Sequence, residues 1–206
     1  MEYLILGLLM LKRLTIYELR GAVKNNFKSM CSDSMGSIQA AIKKLLAKEM
    51  ITVSERTEKG INKKYYSITP AGRAHFLSWV NTPADLSKTK NMELGKLLFM
   101  GLVPVPDRIA LVDEIIGTLE EEINQLRTIR EYQSHSNEKQ SVSDFWKSDC
   151  EYQEGIAIAT GNERIEDNIE QIHTFEMLTL QLGIDSTAFH IQWFRQLRNK
   201  LASADT

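Results

Sequence analysis

The first group of functional side chains in this sequence consists of hydrogen-bond donors spaced for one face of a helix. From Ser34, a favourable N-cap residue, to about Lys48, the apolar residues form one stripe, and at about 100° per residue the donors fall opposite it. That outer face consists of Gly36, Gln39, Ala40, Lys43, Lys44 and Ala47. Its small residues would let the backbone approach a DNA major groove while amide and ammonium groups donate to base edges. Because Ala and Lys are also common on solvated helix faces, the helix alone leaves both interpretations open.

The second group of donors lies in a predicted β-hairpin. Residues 51–55 and 63–69 alternate apolar and polar side chains, and Gly60 lies in the turn between them. Lysines make the hairpin basic, and a tyrosine hydroxyl can meet a phosphate oxygen. The hairpin residues that are predicted to contact the DNA backbone are Lys59, Lys63, Lys64 and Tyr65. A donor-bearing helix followed by a basic hairpin favours DNA binding over a merely solvated surface.

Three helices must position these donors. An apolar stripe over residues 4–11 predicts the first helix, and Thr15 begins a capping box that starts the second. Thr69 and the proline after it supply the start of a further helix behind the hairpin. We therefore predict a winged helix-turn-helix over residues 1–80, whose third helix enters the major groove while the hairpin holds the flanking backbone.

The charge of the chain is divided at the same place. Residues 1–80 hold 13 Lys/Arg and 6 Asp/Glu, which gives +7, whereas the remainder holds 12 and 21, which gives −9. A basic half is typical of a protein with a polyanionic partner, although a charge imbalance can also belong to a solvated surface.

Residues 81–206 are predicted to be a helical dimerisation domain, so the fold class is mainly α with a small β-hairpin. Between Asp107 and Gln133, apolar residues follow steps of 3 and 4, which is the spacing of a heptad seam. A last helix, from Ser186, is too apolar for a free tail. The predicted dimer contacts are Ile109, Val112, Ile116, Leu119, Ile123, Leu126, Trp193 and Leu197. Packing of the seam within one chain is the alternative.

Two breaks are predicted among the helices of this domain. Residues 134–143 are polar and are predicted to form a loop. Gly183 is predicted to end the helix that starts near Asn162, because glycine readily takes the left-handed conformation of a C-cap.

Aromatic side chains gather between Asp144 and Ala159 and give a candidate effector site. A small planar ligand is bound by aromatic residues together with a few polar groups. Aromatic clusters usually fill cores, so helix packing is the alternative interpretation. The candidate effector contacts are Phe145, Trp146, Tyr152 and His173.

The sequence lacks the arrangements typical of an enzyme, a metal site or a cofactor site. The four histidines do not have metal-ligand spacing, and neither a phosphate-binding glycine loop nor a nucleophile-and-base motif is present. Cys31 and Cys150 lie far apart, which fits a reducing cytoplasm rather than a disulfide framework. The apolar stretch over residues 3–11 is too short to span a bilayer, so no membrane partner is predicted.

Four segments of the sequence resemble the PadR-like transcriptional regulators, in particular the longer subfamily with a helical C-terminal domain. They are ILGLLMLKRLTIYELRGAV, GSIQAAIKKLLAKEMI, KKYYSITPAGR and LGIDSTAFHIQWFRQL. Many members read GSIYPAL in the third helix, whereas Gln39 and Ala40 replace that Tyr-Pro pair here. The resemblance implies a homodimeric repressor that leaves its operator when a small, frequently aromatic molecule binds. It implies groove contacts at Ser37, Gln39, Lys43 and Lys44 and wing contacts at Lys63 and Lys64.

One leading hypothesis and two alternatives describe the function. The leading hypothesis is a homodimeric transcriptional regulator in the cytoplasm, whose double-stranded DNA target is an inverted repeat with half-sites about one helical turn apart. The first alternative is a winged helix that docks on a protein. The second alternative keeps DNA binding but has no small-molecule effector.

Overall fold

The computed structural model describes residues 1–27, 31–58, 60–84 and 95–203. The chain divides into two compact units, each formed from two separate stretches. Unit 1 comprises Met1–Pro83 and Ser136–His173, and unit 2 comprises Ala84–His135 and Thr174–Thr206. The predicted boundary after residue 80 lies close to Pro83. Residues 136–173, which were predicted to belong to the second domain, pack with the first 83 residues instead.

The first part of unit 1 is a winged helix-turn-helix, as predicted. Its elements are α1 (Glu2–Leu11), β1 (Leu14–Thr15), α2 (Ile16–Asn26), α3 (Met35–Ala47), β2 (Ile51–Glu58), β3 (Ile61–Ile68) and α4 (Pro70–Val80). The strands form an antiparallel sheet in the order β1-β3-β2. The two-residue β1 was not predicted, because so short a strand has no recognisable pattern of its own.

Side-chain caps explain where these helices begin. The Thr15 hydroxyl accepts a hydrogen bond from the Glu18 amide at 3.3 Å, and the Glu18 carboxylate accepts one from the Thr15 amide at 2.7 Å. The predicted capping box is therefore confirmed. Ser34 and Thr69 likewise accept from amides in the first turns of α3 and α4. Each cap satisfies an amide that the helix itself leaves unpaired.

The hairpin formed by β2 and β3 is longer than predicted. Its register runs from Ile51 opposite Ile68 to Glu58 opposite Ile61. Gly60 has a φ of 79°, a left-handed conformation that glycine adopts without steric cost, and it closes the turn. Lys59, a predicted DNA contact in the same turn, lies outside the described residues.

The second part of unit 1 completes the core of the winged helix. It consists of α7 (Glu138–Ser148), α8 (Cys150–Thr160) and the first turns of α9 (Ile165–Ser203). Trp146 and Tyr152 are at most 1% exposed and share one core with Leu9 of α1. The Trp146 indole nitrogen donates to the Leu11 carbonyl oxygen at 2.9 Å. The winged helix is thus closed by residues that come 135 positions later in the sequence.

Unit 2 is built from two long helices. After α5 (Gly95–Phe99) and a 3-10 turn (Met100–Leu102), α6 (Val105–His135) lies beside the C-terminal part of α9. The predicted seam of α6 packs against α9 of the same chain, where Val112 contributes to a cluster with Phe194 and Ile123 to one with Ile191. Arg195 and Arg198 of α9 also form ion pairs with acidic residues of α6.

The two predicted breaks are wrong. Only Ser136 and Asn137 separate α6 from α7, because the polar stretch contains a narrow buried face with Val142. The helix α9 continues through Gly183, which does not take the left-handed conformation. A Cβ atom at Gly183 would lie 3.6 Å from Cδ1 of Leu126, so this glycine marks the contact between α9 and α6 rather than a helix end.

Candidate nucleic-acid interface

The helix α3 buries one face and exposes the other. Ile38, Ile42 and Leu45 are at most 3% exposed and lie in the core of unit 1. The exposed residues of α3 are Gly36, Ser37, Gln39, Ala40, Lys43, Lys44 and Ala47. The outer face predicted from the sequence is therefore open to solvent and held rigidly from behind.

The two flanks of this outer face have different surroundings. On one flank, the carboxylate of Glu2 in α1 lies 3.0 Å from the ammonium nitrogen of Lys48 and 3.8 Å from that of Lys44. The hydrogen bond from Lys48 holds the pKa of Glu2 below its usual value, so this carboxylate is charged at neutral pH. Gln39 and Lys43 lie on the opposite flank, about 100° or more around the helix from Lys44 and Lys48.

The hairpin carries its charges on two faces. Arg56 lies opposite Lys63, and its guanidinium carbon is 6.0 Å from the centre of the Tyr65 ring, so these three residues share one face. Lys64 lies opposite Glu55 on the other face, with its nitrogen 3.5 Å from a carboxylate oxygen. The first face therefore carries the cationic side chains of Arg56 and Lys63, whereas the second face places Lys64 beside the Glu55 carboxylate.

A further donor surface on α2 was missed by sequence reasoning. Tyr17, Arg20 and Lys24 are exposed at steps of 3 and 4, and Arg20 Nε donates to the Asp33 carbonyl oxygen at 3.3 Å. In a helix-turn-helix the helix before the recognition helix crosses the DNA backbone, so this face lies where phosphates would pass. The same spacing is present in the sequence, where the inward apolar stripe of α2 is the stronger pattern.

The predicted dimer contacts differ in how far they are exposed. Val112, Ile116 and Ile123 are at most 8% exposed because they pack within their own chain. Ile109, Leu119, Leu126 and Leu197 are half-buried. Trp193 is 44% exposed. The alternative interpretation of the seam, packing inside one chain, describes α6 in this structure.

A different apolar surface of unit 2 is exposed on α9. It consists of Phe175, Leu178, Leu182, Phe189 and Trp193, each between 44% and 67% exposed. At about 100° per residue, these five side chains fall within about 60° of one another and form one stripe, here called the α9 stripe. A contiguous apolar stripe of this kind is typical of an interaction surface.

Three of the four candidate effector residues come together. Trp146 and Tyr152 are buried in the core of unit 1, and the Phe145 ring meets the Tyr152 ring edge-on at 4.9 Å. His173 is half-buried on α9, where burial lowers its pKa. The cluster therefore does fill a core, which was the alternative interpretation of these aromatic residues.

Two arginines that sequence reasoning missed flank Tyr152. The guanidinium carbons of Arg13 and Arg73 lie 5.3 and 5.4 Å from the centre of its ring, and Arg13 pairs with Asp149. Burial raises the pKa of Tyr152, against the opposing effect of the Arg13 charge. Arg73 Nε is buried and has no hydrogen-bond partner within the described chain.

The Arg73 guanidinium fits only because Gly155 of α8 has no side chain. A Cβ atom at Gly155 would lie 0.9 Å from Arg73 Nη1. The same nitrogen donates to the Glu151 carbonyl oxygen at 3.4 Å. Arg73 thus joins α4 of the winged helix directly to the backbone of α8.

The described part of the chain shows neither a metal-ion site nor a membrane span. Across 1–27, 31–58, 60–84 and 95–203, His, Cys, Asp and Glu side chains do not gather into a group that could hold a metal ion. Among the described helices, none combines the length and the apolar character that a membrane span needs.

The sequence matches two protein families. Residues 5–77 match the transcriptional regulator PadR-like family. Residues 89–202, more than half of the chain, match the virulence activator alpha C-terminal family. Comparison with curated proteins gives no match.

Solved structures share the fold over nearly the whole chain. Bacillus subtilis PadR in complex with operator DNA is 16% identical, with a TM-score of 0.69 over 97% of this chain and 98% of that chain. The same protein in complex with p-coumaric acid is 16% identical, with a TM-score of 0.64 over 98% of both chains. A PadR-like transcriptional regulator from Bacillus cereus is 18% identical, with a TM-score of 0.67 over 98% of both chains. At these identities the likeness shows a common fold.

Proposed function

Since the chain belongs to the PadR-like family of transcriptional regulators, we propose that it binds operator DNA as a homodimer and represses transcription until a small aromatic effector releases it. The family consists of regulators rather than enzymes. The observation that carries DNA binding is the outer face of α3, which exposes Gln39 and Lys43 among small residues on a helix fixed by the core. Such a face can enter a major groove without displacing another element.

The exposed donors suggest how DNA would be read. The Gln39 amide can pair with both hydrogen-bonding groups of an adenine edge, and the Lys43 ammonium can donate to guanine. Ser37 lies at the start of α3, where its amide donates to the Ser34 hydroxyl at 3.2 Å. The face shared by Arg56 and Lys63 would meet phosphates beside the groove, which positions the protein without reading sequence.

The exposed apolar surface of unit 2 supports a homodimer. The α9 stripe leaves five large apolar side chains in water, and a second copy of the same stripe would remove them from it. Two α3 helices related by a two-fold axis would then contact half-sites about 34 Å apart on an inverted repeat.

DNA binding is tested by selection from a random duplex pool with the purified full chain. We expect enrichment of an inverted repeat, and an affinity that falls with salt by a slope near 0.9 for each phosphate neutralised. Gln39→Ala and Lys43→Ala should relax the selected sequence. Failure to retain any duplex, together with loss of a protein contact in the same variants, would favour the alternative of a protein-docking winged helix.

The effector part of the proposal rests on the cluster around Tyr152. Aromatic side chains supply stacking surfaces, and Arg73, together with Arg13 in its ion pair with Asp149, supplies positive charge, so the cluster suits an aromatic carboxylate. The solved complex of Bacillus subtilis PadR with p-coumaric acid supports this class of ligand.

The effector is tested by thermal shift against a panel of aromatic carboxylates. A ligand that binds the folded protein raises Tm by mass action, and it should also lower the affinity for the selected operator. Arg13→Gln should weaken both effects for a carboxylate and leave the response to the matching neutral amide unchanged. If no compound shifts Tm or operator affinity, the ligand-independent alternative is favoured.

A further inference from the structure

We propose that Glu2 is an intramolecular competitor of DNA phosphate, which holds Lys44 and Lys48 and thereby limits the affinity of the winged helix for any duplex. This inference rests on the proposed DNA binding and adds a residue that sets its strength. The juxtaposition that supports it is a carboxylate of α1 placed between two ammonium groups on one flank of α3.

The geometry resembles that of a phosphate contact. Lys44 and Lys48 are one helical turn apart, and each approaches a different oxygen of the Glu2 carboxylate, Lys44 Oε1 at 3.8 Å and Lys48 Oε2 at 3.0 Å. A DNA phosphate also offers two charged oxygens to ammonium groups on a helix flank. The Glu2 carboxylate and a DNA phosphate therefore compete for ion pairs with the same two lysines.

The backbone that carries the Glu2 carboxylate is held in place by the core. Glu2 lies in the first turn of α1, whose residues Ile5, Leu6 and Leu9 are completely buried. Because the backbone that carries Glu2 is already fixed, the ion pairs cost only the rotamer freedom of the Glu2 and lysine side chains. The lysine side chains remain more than half exposed, so an arriving phosphate can reach them.

Competition should show in the salt dependence. Each phosphate contact that a lysine makes adds about 0.9 to the slope of log affinity against log salt. If Glu2→Gln frees both lysines, the slope should steepen by up to about 1.8 for each recognition helix. Between 50 and 200 mM salt, a difference of 1.8 in slope corresponds to about 12-fold in affinity.

The experiment measures the affinity of the full chain for the selected operator and for a random duplex at 50, 100 and 200 mM salt. We expect Glu2→Gln to bind both duplexes more tightly at 50 mM, with a gain that falls by up to about 12-fold per recognition helix by 200 mM. Glu2→Asp, which retains the charge, should bind like the unchanged protein or between it and Glu2→Gln. Unfolding by urea in the same buffers verifies that each variant is folded.

Two controls separate competition from a change in net charge. Glu49→Gln alters the net charge equally, and Glu49 has no ion pair within the described chain, so it should leave the slope nearly unchanged. In a background of Lys44→Ala with Lys48→Ala, Glu2→Gln should change the salt slope much less.

The outcomes distinguish this inference from the proposed function. If the unchanged protein retains no duplex, DNA binding itself fails. If it binds duplex but Glu2→Gln changes neither affinity nor slope, or acts equally in the double-lysine background, the competition is disproved and DNA binding stands.

Discussion

Neighbouring lysines of the wing should differ in their contribution to DNA binding. Lys63 shares its face with Arg56, whereas Lys64 faces Glu55 at 3.5 Å. We expect Lys63→Ala to lower the salt slope by about 0.9 for each wing and to weaken binding, since it removes charge from the basic face. Lys64→Ala should change the slope by less than half as much.

Anisotropy titrations of labelled operator at three salt concentrations measure this difference. Glu55→Gln is the matched variant, because it frees Lys64 and should steepen the slope. Equal losses for the two lysine variants would contradict the division of the wing into two faces.

Gly72 is expected to be intolerant of any side chain. A Cβ atom there would lie 2.0 Å from the Met50 carbonyl oxygen, which already accepts a hydrogen bond from the Thr69 amide. Gly72→Ala must displace backbone at the start of α4, so we expect it to lower the free energy of unfolding by about 1 to 3 kcal/mol or more. Gly21→Ala in α2 should be neutral or stabilising, since a Cβ atom at Gly21 would meet nothing within 4 Å. Urea denaturation compares the two.

For single residues, the sequence alone predicted which side chains of α3 are exposed but not which residues pair with them. A stripe of buried residues determines which residues of a helix point outward, so Gln39 and Lys43 were found from spacing. The contact between Glu2 and Lys48 joins residues 46 positions apart, and spacing within one helix carries no information about it.

Gly183 provides a test of the continuity of α9. In the interior of a helix, replacement of glycine by alanine is expected to raise the free energy of unfolding by about 0.5 to 1 kcal/mol, and a Cβ atom at Gly183 would make only an ordinary contact with Leu126 at 3.6 Å. We therefore expect Gly183→Ala to be stabilising. Gly161 is the matched control, because it caps α8 with a φ of 67°. Gly161→Ala should therefore lower the free energy of unfolding. If both variants lose stability, the result would indicate a helix end at Gly183, as the sequence predicted.

The helices of the winged helix-turn-helix followed from local signals, whereas the packing of unit 2 did not. Caps at Thr15, Ser34 and Thr69 act within four residues, so the sequence predicts where those helices start. A heptad pattern defines an apolar face of α6 without naming the helix that covers it. The seam residue Ile123 meets Ile184 of its own chain, and only the three-dimensional structure identifies that partner.

The proposed dimer predicts that charge placed on the α9 stripe separates the chains. We expect Phe189→Glu with Trp193→Glu to convert the protein to a monomer at micromolar concentration, because each carboxylate would be buried in an apolar contact. Affinity for the inverted repeat should fall with the same change, since the two half-sites would be bound independently.

Sedimentation velocity measures the oligomeric state of these variants. Ile158→Glu is the control, because Ile158 is 83% exposed on α8 and lies outside the α9 stripe. If the unchanged protein is a monomer, or if the dimer survives both substitutions, the α9 stripe is not the dimer interface.

The division of the chain into two units predicts that residues 1–83 do not fold stably by themselves. Without α7 and α8, the core around Leu9 loses Trp146 and Tyr152, both of which are at most 1% exposed in the full chain. We expect the fragment to melt at a much lower temperature than the full chain, or without a cooperative transition, in circular dichroism. A fragment that melts as the full chain does would contradict this account.

The hydrogen bond between Trp146 and the Leu11 carbonyl also has a consequence for biosynthesis. A ribosome that adds about 5 to 20 residues per second delivers the tryptophan roughly 3 to 13 seconds after residue 83. Throughout that interval, the nascent α1 presents apolar surface that a chaperone would have to shield. A polypeptide released early by a premature stop codon would thus have an incomplete core behind its winged helix, and under the proposed function it could not occupy an operator without the segment proposed to sense the effector.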